Sequence, residues 1–110
     1  MPLTAIATYF LSDEQRADFT ARAEGNLTLV PIPRCAAEQY PRLVLGINDV
    51  AVFEKTLPWD HAAGALLVTE AGGVVRRPDG EDYRVGDTRR GMIGAASPAL
   101  WDHAQRVLFG

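Results

Sequence analysis

The 110-residue sequence has a single cysteine, no long apolar run and no excess of basic residues. Cys35 alone cannot form a disulfide within the chain, which fits a reducing compartment, and we expect a cytoplasmic protein. No apolar run approaches the roughly 20 residues that cross a bilayer, and the N-terminus resembles no signal peptide, so we expect no membrane association. A formal net charge of −3 argues against nucleic acid as a partner.

Common catalytic motifs are also missing. The sequence contains no P-loop, no dinucleotide-binding glycine pattern and no nucleophile elbow around a serine. Cys35 has no histidine or basic cluster near it in the sequence, which argues against a reactive thiolate. We therefore assign no catalytic residue. A composition of 47% hydrophobic and 23% charged residues is typical of globular proteins, and residues 1–110 are predicted to form a single domain.

Short apolar runs alternate with segments of helical spacing along the chain. The predicted strands are "TAIATYF", "LTLVPI", "DVAVFE" and "GMIGAAS", with a hairpin around Asp79-Gly80 before the last of them. Helices are predicted after Ser12, which forms a capping box with Gln15, over "CAAEQYPRLVLG", from Asp60 to Ala71, and from Pro98 onward. This alternation predicts an α/β fold, a layered domain with a central mixed sheet flanked by helices.

The stretch "LPWDHAAGALLVTEAGG", residues 57–73, is the least ordinary part of the sequence. Asp60 precedes a helix rich in small residues, where it is either an N-cap or a ligand for a hard metal ion. His61 is expected to make a polar contact at the surface or in the core, with metal binding as the alternative. Gly64 and its alanine neighbours predict close packing of the helix. An exposed apolar face would indicate a partner domain or a dimer contact.

The same stretch resembles the second signature of the inositol monophosphatase family, W-D-x-A-A-G followed by apolar residues and E-A-G-G. The matching positions are Trp59, Asp60, Ala62, Ala63, Gly64, Glu70, Ala71, Gly72 and Gly73. "RCAAEQY" resembles the start of that family's interdomain helix, and the order of later elements resembles the end of these enzymes. The resemblance spans nearly the whole chain, but corresponds only to the C-terminal half of such a protein.

The resemblance implies a Mg²⁺-dependent phosphomonoesterase with alternating α and β layers. It implies that Asp60 is a metal ligand and that Glu54, Cys35 and Ala36 lie at the substrate site. The family's D-P-[ILV]-D-G-T signature and its G-E-x-E glutamates, which supply most metal ligands, are absent from this sequence. One carboxylate cannot organise several magnesium ions, so we expect weak Mg²⁺ binding and no hydrolysis by this chain alone.

Two functional hypotheses follow. In the first, the chain is the C-terminal portion of a phosphatase that acts on inositol-, sugar- or nucleotide-type phosphates. Its partners are then a missing N-terminal half or its equivalent, a phosphate-ester substrate and, as a homo-oligomer, further copies of itself. In the second, the chain is a non-catalytic binding or assembly module derived from the same family.

Overall fold

The computed structural model describes residues 2–6, 12–30, 36–53, 58–83 and 91–110. These residues form five strands and four helices. In chain order the elements are β1 (Leu3–Ile6), α1 (Asp13–Ala23), β2 (Thr28–Leu29), α2 (Ala36–Val44), β3 (Val50–Phe53), α3 (Pro58–Glu70), β4 (Val74–Arg76), β5 (Met92–Ala95) and α4 (Pro98–Leu108). None of the helices in these ranges is long and apolar enough to cross a bilayer.

The strands form one mixed sheet in the order β2-β1-β3-β5-β4. β1 pairs in parallel with both β2 and β3, whereas β5 pairs antiparallel with β3 and with β4. Helices connect the parallel strands, as parallel pairing requires a crossover. The predicted α/β fold with a mixed sheet flanked by helices is therefore confirmed.

Alternating side chains of the strands form two cores, one on each face of the sheet. In β3, Val50 and Val52 contribute to the core that contains Trp101 and Leu108 of α4, while Ala51 and Phe53 contribute to the other. The second core contains residues of α2 and α3, among them Tyr40, Leu43, Ala65 and Val68. Burial on both faces explains why β3 and β5 are continuously apolar in sequence.

Local sequence signals set the starts of two helices. The hydroxyl of Ser12 accepts a hydrogen bond from the backbone N–H of Gln15, and the Gln15 side chain accepts one from the Ser12 backbone, so the predicted capping box is confirmed. Helix α4 begins at Pro98, as predicted, and the Ser97 hydroxyl accepts a hydrogen bond from the Leu100 backbone. Each cap satisfies a backbone donor that has no partner within its helix.

The Asp79-Gly80 turn also forms as predicted. Gly80 has a φ of 94°, and the Arg77 backbone N–H donates to the Glu81 carbonyl across the turn. The described part of the second arm ends at Tyr83, whose backbone N–H donates to Val75. This arm therefore continues the sheet beyond β4 over the few residues that the structure describes.

Candidate functional site

One edge of the sheet collects the ends of all three parallel strands. β1, β2 and β3 run in the same direction, so their last residues point towards one end of the sheet, which we call the carboxyl edge. Ile6 is opposite Val52, next to Phe53, whereas the shorter β2 ends earlier, with Leu29 opposite Thr4. β5 runs the other way, so its first residue, Met92, pairs with Phe53 at this edge. Open α/β sheets bind their ligands outside the carboxyl ends of their strands. The carboxyl edge is therefore the candidate site.

The predicted site residues belong to the connections that leave β2 and β3 at this edge. Asp60 is the third residue of α3, and Ala36 is the first residue of α2. Cys35 and Glu54 lie outside the described residues; in sequence, Cys35 directly precedes α2 and Glu54 directly follows β3. The topology thus assigns two of the four residues to the beginnings of the helices that follow β2 and β3.

Helix α3 begins two residues earlier than the sequence analysis predicted. Pro58 occupies its first position, where a proline loses no helical hydrogen bond and its fixed φ favours the helix. Asp60 therefore lies within the first turn and does not precede the helix as an N-cap. A carboxylate in a first turn still complements the helix dipole, and its oxygens are the donor type that Mg²⁺ prefers.

Asp60 is the one predicted metal ligand, and a complete magnesium site needs more oxygen donors than one carboxylate supplies. Within the described ranges, no group of three or more His, Cys, Asp or Glu side chains is arranged to hold a metal ion. His61, the next residue, does not add to such a site, since it is buried within the core. The described residues thus fit a contribution to a metal site and do not complete one.

His61 makes a buried polar contact, which agrees with the favoured interpretation of this residue. It is 3% exposed, and its Nδ1 lies 2.7 Å from the Oη of Tyr40, a fully buried residue of α2. Burial raises the pKa of Tyr40 well above its usual range, to which nearby Tyr83 adds. Tyr40 therefore keeps its proton and remains a neutral hydrogen-bonding group in the core.

Close packing of α3 against α2 explains the small residues of the signature. A Cβ built on Gly64 would overlap the ring of Tyr40 and lie 2.8 Å from its Cε2 atom. Ala65, the next residue, is buried in the same core. A larger side chain at position 64 would push the two helices apart, so the predicted close packing is confirmed here.

The end of the signature forms a Schellman motif. The backbone N–H of Gly73 donates to the Val68 carbonyl, and that of Gly72 donates to the Thr69 carbonyl. Gly72 has a φ of 93°, which disfavours other residues, whereas a Cβ on Gly73 would lie 2.6 Å from the Ala95 carbonyl oxygen. The two glycines are thus needed for different reasons, and together they turn the chain from α3 into β4.

A groove of about 500 Å³ runs between α3 and the hairpin that contains β4. Its helix side includes Ala62, Leu66 and Thr69, and its other side includes Arg76 and Tyr83. The sequence did not predict this groove, because its shape depends on how α3 packs beside the hairpin in three dimensions. Its lining is partly apolar, and no cluster of acidic residues lies within the described part of it.

The exposed side of α3 carries apolar side chains beside the polar Thr69 and Glu70. Leu66 is 62% exposed and Leu67 is 43% exposed. The sequence left open whether the exposed side of this helix is apolar, and the structure places two adjacent leucines there, Leu66 and Leu67, which we call the α3 leucine face. Such surfaces favour contact with a further protein segment.

The sequence between residues 4 and 108 matches the model of the inositol monophosphatase family. A segment of 51 residues is 56% identical to the "Putative Nus factor SuhB" of Neisseria meningitidis, and one of 52 residues is 44% identical to "Phosphatase IMPL1, chloroplastic" of Arabidopsis thaliana. These segments amount to 46% and 47% of this chain, but to 18% and 14% of the two relatives.

Solved structures share the fold over nearly the whole chain. An inositol monophosphatase from Zymomonas mobilis matches with a TM-score of 0.80 at 19% identity, covering 97% of this chain and 42% of that structure. The Thermotoga maritima IMPase matches with a TM-score of 0.75 at 22% identity, covering 97% and 41%. The chain thus spans less than half the length of the structures it matches. From the match over residues 4–108, we conclude that it belongs to the inositol monophosphatase family.

Proposed function

We propose that this chain is the C-terminal portion of a Mg²⁺-dependent phosphomonoesterase and that it is inactive by itself. The observation that carries the proposal is the family match over residues 4–108, combined with coverage of only 42% of a related phosphatase structure. The α3 leucine face adds support, because adjacent exposed leucines favour contact with a further protein segment.

In the proposed enzyme, the four predicted site residues serve either the metal or the substrate. Asp60, in the first turn of α3, contributes a carboxylate to a magnesium site that is completed by ligands of the missing portion. Bound magnesium would neutralise phosphate charge and lower the pKa of an attacking water. Glu54, Cys35 and Ala36 belong to the connections at the carboxyl edge, and we assign them to the substrate side of the site.

Reconstitution tests the proposal. We would combine this chain with the N-terminal portion of a related inositol monophosphatase and measure phosphate release from inositol-type and nucleotide-type monophosphates. We expect Mg²⁺-dependent release by the pair and none by either part. Asp60→Asn should abolish release, whereas Asp102→Asn, which changes an exposed carboxylate of α4, should leave it unchanged. A folded pair that releases no phosphate from either substrate class would contradict the proposal.

A second candidate function is a non-catalytic binding or assembly module. The α3 leucine face favours it, since such a surface serves a docking partner as well as a missing domain. A module of this kind would have a melting temperature that does not depend on Mg²⁺. A rise in melting temperature with Mg²⁺ that Asp60→Asn removes would count against the module and in favour of the phosphatase portion.

A further inference from the structure

Three aromatic rings from three different elements meet at the carboxyl edge. Tyr40 of α2 stacks on Phe53 of β3 with ring centroids 5.2 Å apart, and His61 of α3 meets Phe53 edge-on at 4.8 Å. The Tyr40 and His61 rings are perpendicular, with centroids 5.7 Å apart. We call these three residues the aromatic cluster. All of them are nearly or fully buried, so the cluster is a fixed part of the core.

The cluster contacts the chain on both sides of the segment that carries two predicted site residues. Phe53 ends β3 and directly precedes Glu54, and His61 directly follows Asp60. Fixing Phe53 and His61 therefore fixes the backbone at both ends of residues 54–60. Phe53 is also held by the sheet, since it pairs with Met92. The position of His61 depends instead on the contacts of the first turn of α3.

The hydrogen bond between Tyr40 and His61 is the polar contact that ties this first turn to α2. Its length of 2.7 Å is that of a well-formed hydrogen bond. One turn further along α3, Gly64 lets the Tyr40 ring lie directly against the helix backbone. The ring thus contacts Gly64 while its hydroxyl reaches His61, which leaves α3 little freedom to rotate or slide against α2.

We infer that Tyr40 and His61 are positioning residues for Asp60: their hydrogen bond fixes the first turn of α3 and thereby the backbone position of Asp60. This inference rests on the proposed function, since it takes Asp60 as a ligand of Mg²⁺. Neither Tyr40 nor His61 is proposed to contact metal or substrate. On this inference the pair supplies a directional contact that two leucines of similar volume would not supply.

Metal affinity is the main test, with Mg²⁺ itself as the probe and the full 110-residue chain as the sample. Amide chemical shifts of Asp60 and His61, followed by NMR during a Mg²⁺ titration, report binding even when it is weak. Tyr40→Phe removes only the hydroxyl and keeps the ring. We expect it to raise the Mg²⁺ dissociation constant about three- to tenfold, the loss corresponding to one hydrogen bond.

Two control variants separate positioning from general loss of stability. Val68→Ala removes buried volume from the same helix two turns away, and it should lower the melting temperature while leaving the Mg²⁺ dissociation constant unchanged. His61→Asn keeps a polar atom near the position of Nδ1, and it should retain more affinity than His61→Leu. A purely structural role for the pair would make all destabilised variants lose affinity in proportion to their stability.

Hydrogen exchange provides a readout that does not need metal. In α3, the amides of Ala62, Ala63 and Gly64 donate to the carbonyls of residues 58–60, so their exchange reports order in the first turn. We expect Tyr40→Phe to accelerate this exchange about tenfold without changing exchange in α4.

The possible outcomes distinguish failure of this inference from failure of the proposed function. Two results would contradict the metal role of Asp60. In the first, Mg²⁺ changes the amide chemical shifts of the wild type and of Asp60→Asn alike. In the second, Mg²⁺ changes no chemical shift. Amide hydrogen exchange would then still show whether the Tyr40–His61 hydrogen bond orders the first turn of α3. If Tyr40→Phe has wild-type Mg²⁺ affinity and wild-type hydrogen exchange, the inference is wrong, whether or not the two combined protein portions release phosphate.

Discussion

Gly64 of α3 lies directly against the ring of Tyr40 in α2, with no space between them for a side chain. Two effects of Gly64→Ala oppose each other here. Alanine favours a helix over glycine by about 1 kcal/mol, but its Cβ would overlap a fully buried ring that has no room to move. We expect the overlap to be the larger effect.

The net result of Gly64→Ala should be a loss of about 1–2 kcal/mol in the free energy of unfolding, measured by urea denaturation. Ala63→Gly, at the exposed neighbouring position, measures the propensity effect alone and should cost about 1 kcal/mol. If Gly64→Ala were more stable than the wild type, there would be room for a Cβ atom between α3 and the Tyr40 ring.

The two glycines after α3 should respond differently to alanine. Gly72→Ala places a side chain in open space but at a φ of 93°, and it should cost about 1–2 kcal/mol. Gly73→Ala introduces contacts of 2.6 Å with both the Ala95 carbonyl oxygen and Val68 Cγ1. Since the backbone of β5 cannot yield easily, we expect about 3 kcal/mol. Equal losses in the two unfolding free energies would contradict this distinction.

Stability should decrease in alkaline solution because of Tyr40. Its pKa is raised in the folded state by burial, whereas in the unfolded chain a tyrosine titrates near its ordinary value of about 10. The stabilisation by the neutral phenol is complete below that pH. Above it, the folded state holds one more proton than the unfolded state, and the free energy of unfolding falls by about 1.4 kcal/mol per pH unit.

Tyr40→Phe should remove this alkaline slope while leaving the contributions of the other tyrosines in place. Urea denaturation of both proteins across the range from neutral to strongly alkaline pH measures the difference. Parallel stability curves for wild type and variant would show that Tyr40 titrates normally in the folded protein.

The α3 leucine face should affect association and not folding. Leu66→Lys changes a side chain that is mostly exposed, so the free energy of unfolding should change by no more than about 0.5 kcal/mol. We expect the wild-type chain to self-associate at high concentration and the variant to do so less, as measured by sedimentation velocity. Ala17→Lys, at an exposed position of α1, is the matched control for charge added away from this face. Identical sedimentation of all three proteins would argue that the face has no partner among copies of this chain.

Signals confined to a few residues predicted the structure well. The capping box of Ser12 and Gln15, the proline at the start of α4 and the glycine turn of the hairpin each depend on neighbours within about one turn. Local spacing is less informative about burial: in α2, Tyr40 and Leu43 are buried, but the next residue, Val44, is 40% exposed. In α4, Trp101 is buried and its indole N–H donates to the Ile93 carbonyl.

Features that depend on distant residues could not be predicted in the same way. The sequence pattern allowed His61 to face solvent or the core, and the choice is settled by Tyr40, 21 positions away. The strand order, which places β5 between β3 and β4, follows from pairings that no local pattern encodes. The roles of Asp60, Glu54, Cys35 and Ala36 remain predictions from family resemblance, since none of their side chains is described.

The reversal of β5 has a consequence for how this sheet can evolve new chemistry. In a purely parallel sheet, the chain enters every strand at the amino end, which is opposite the end where ligands bind. Here Gly91 and Met92 arrive beside Phe53, at the carboxyl edge where the candidate site lies. Substitutions immediately ahead of β5 would therefore change the surface beside Phe53 without disturbing α2 and α3, the two helices that follow β2 and β3.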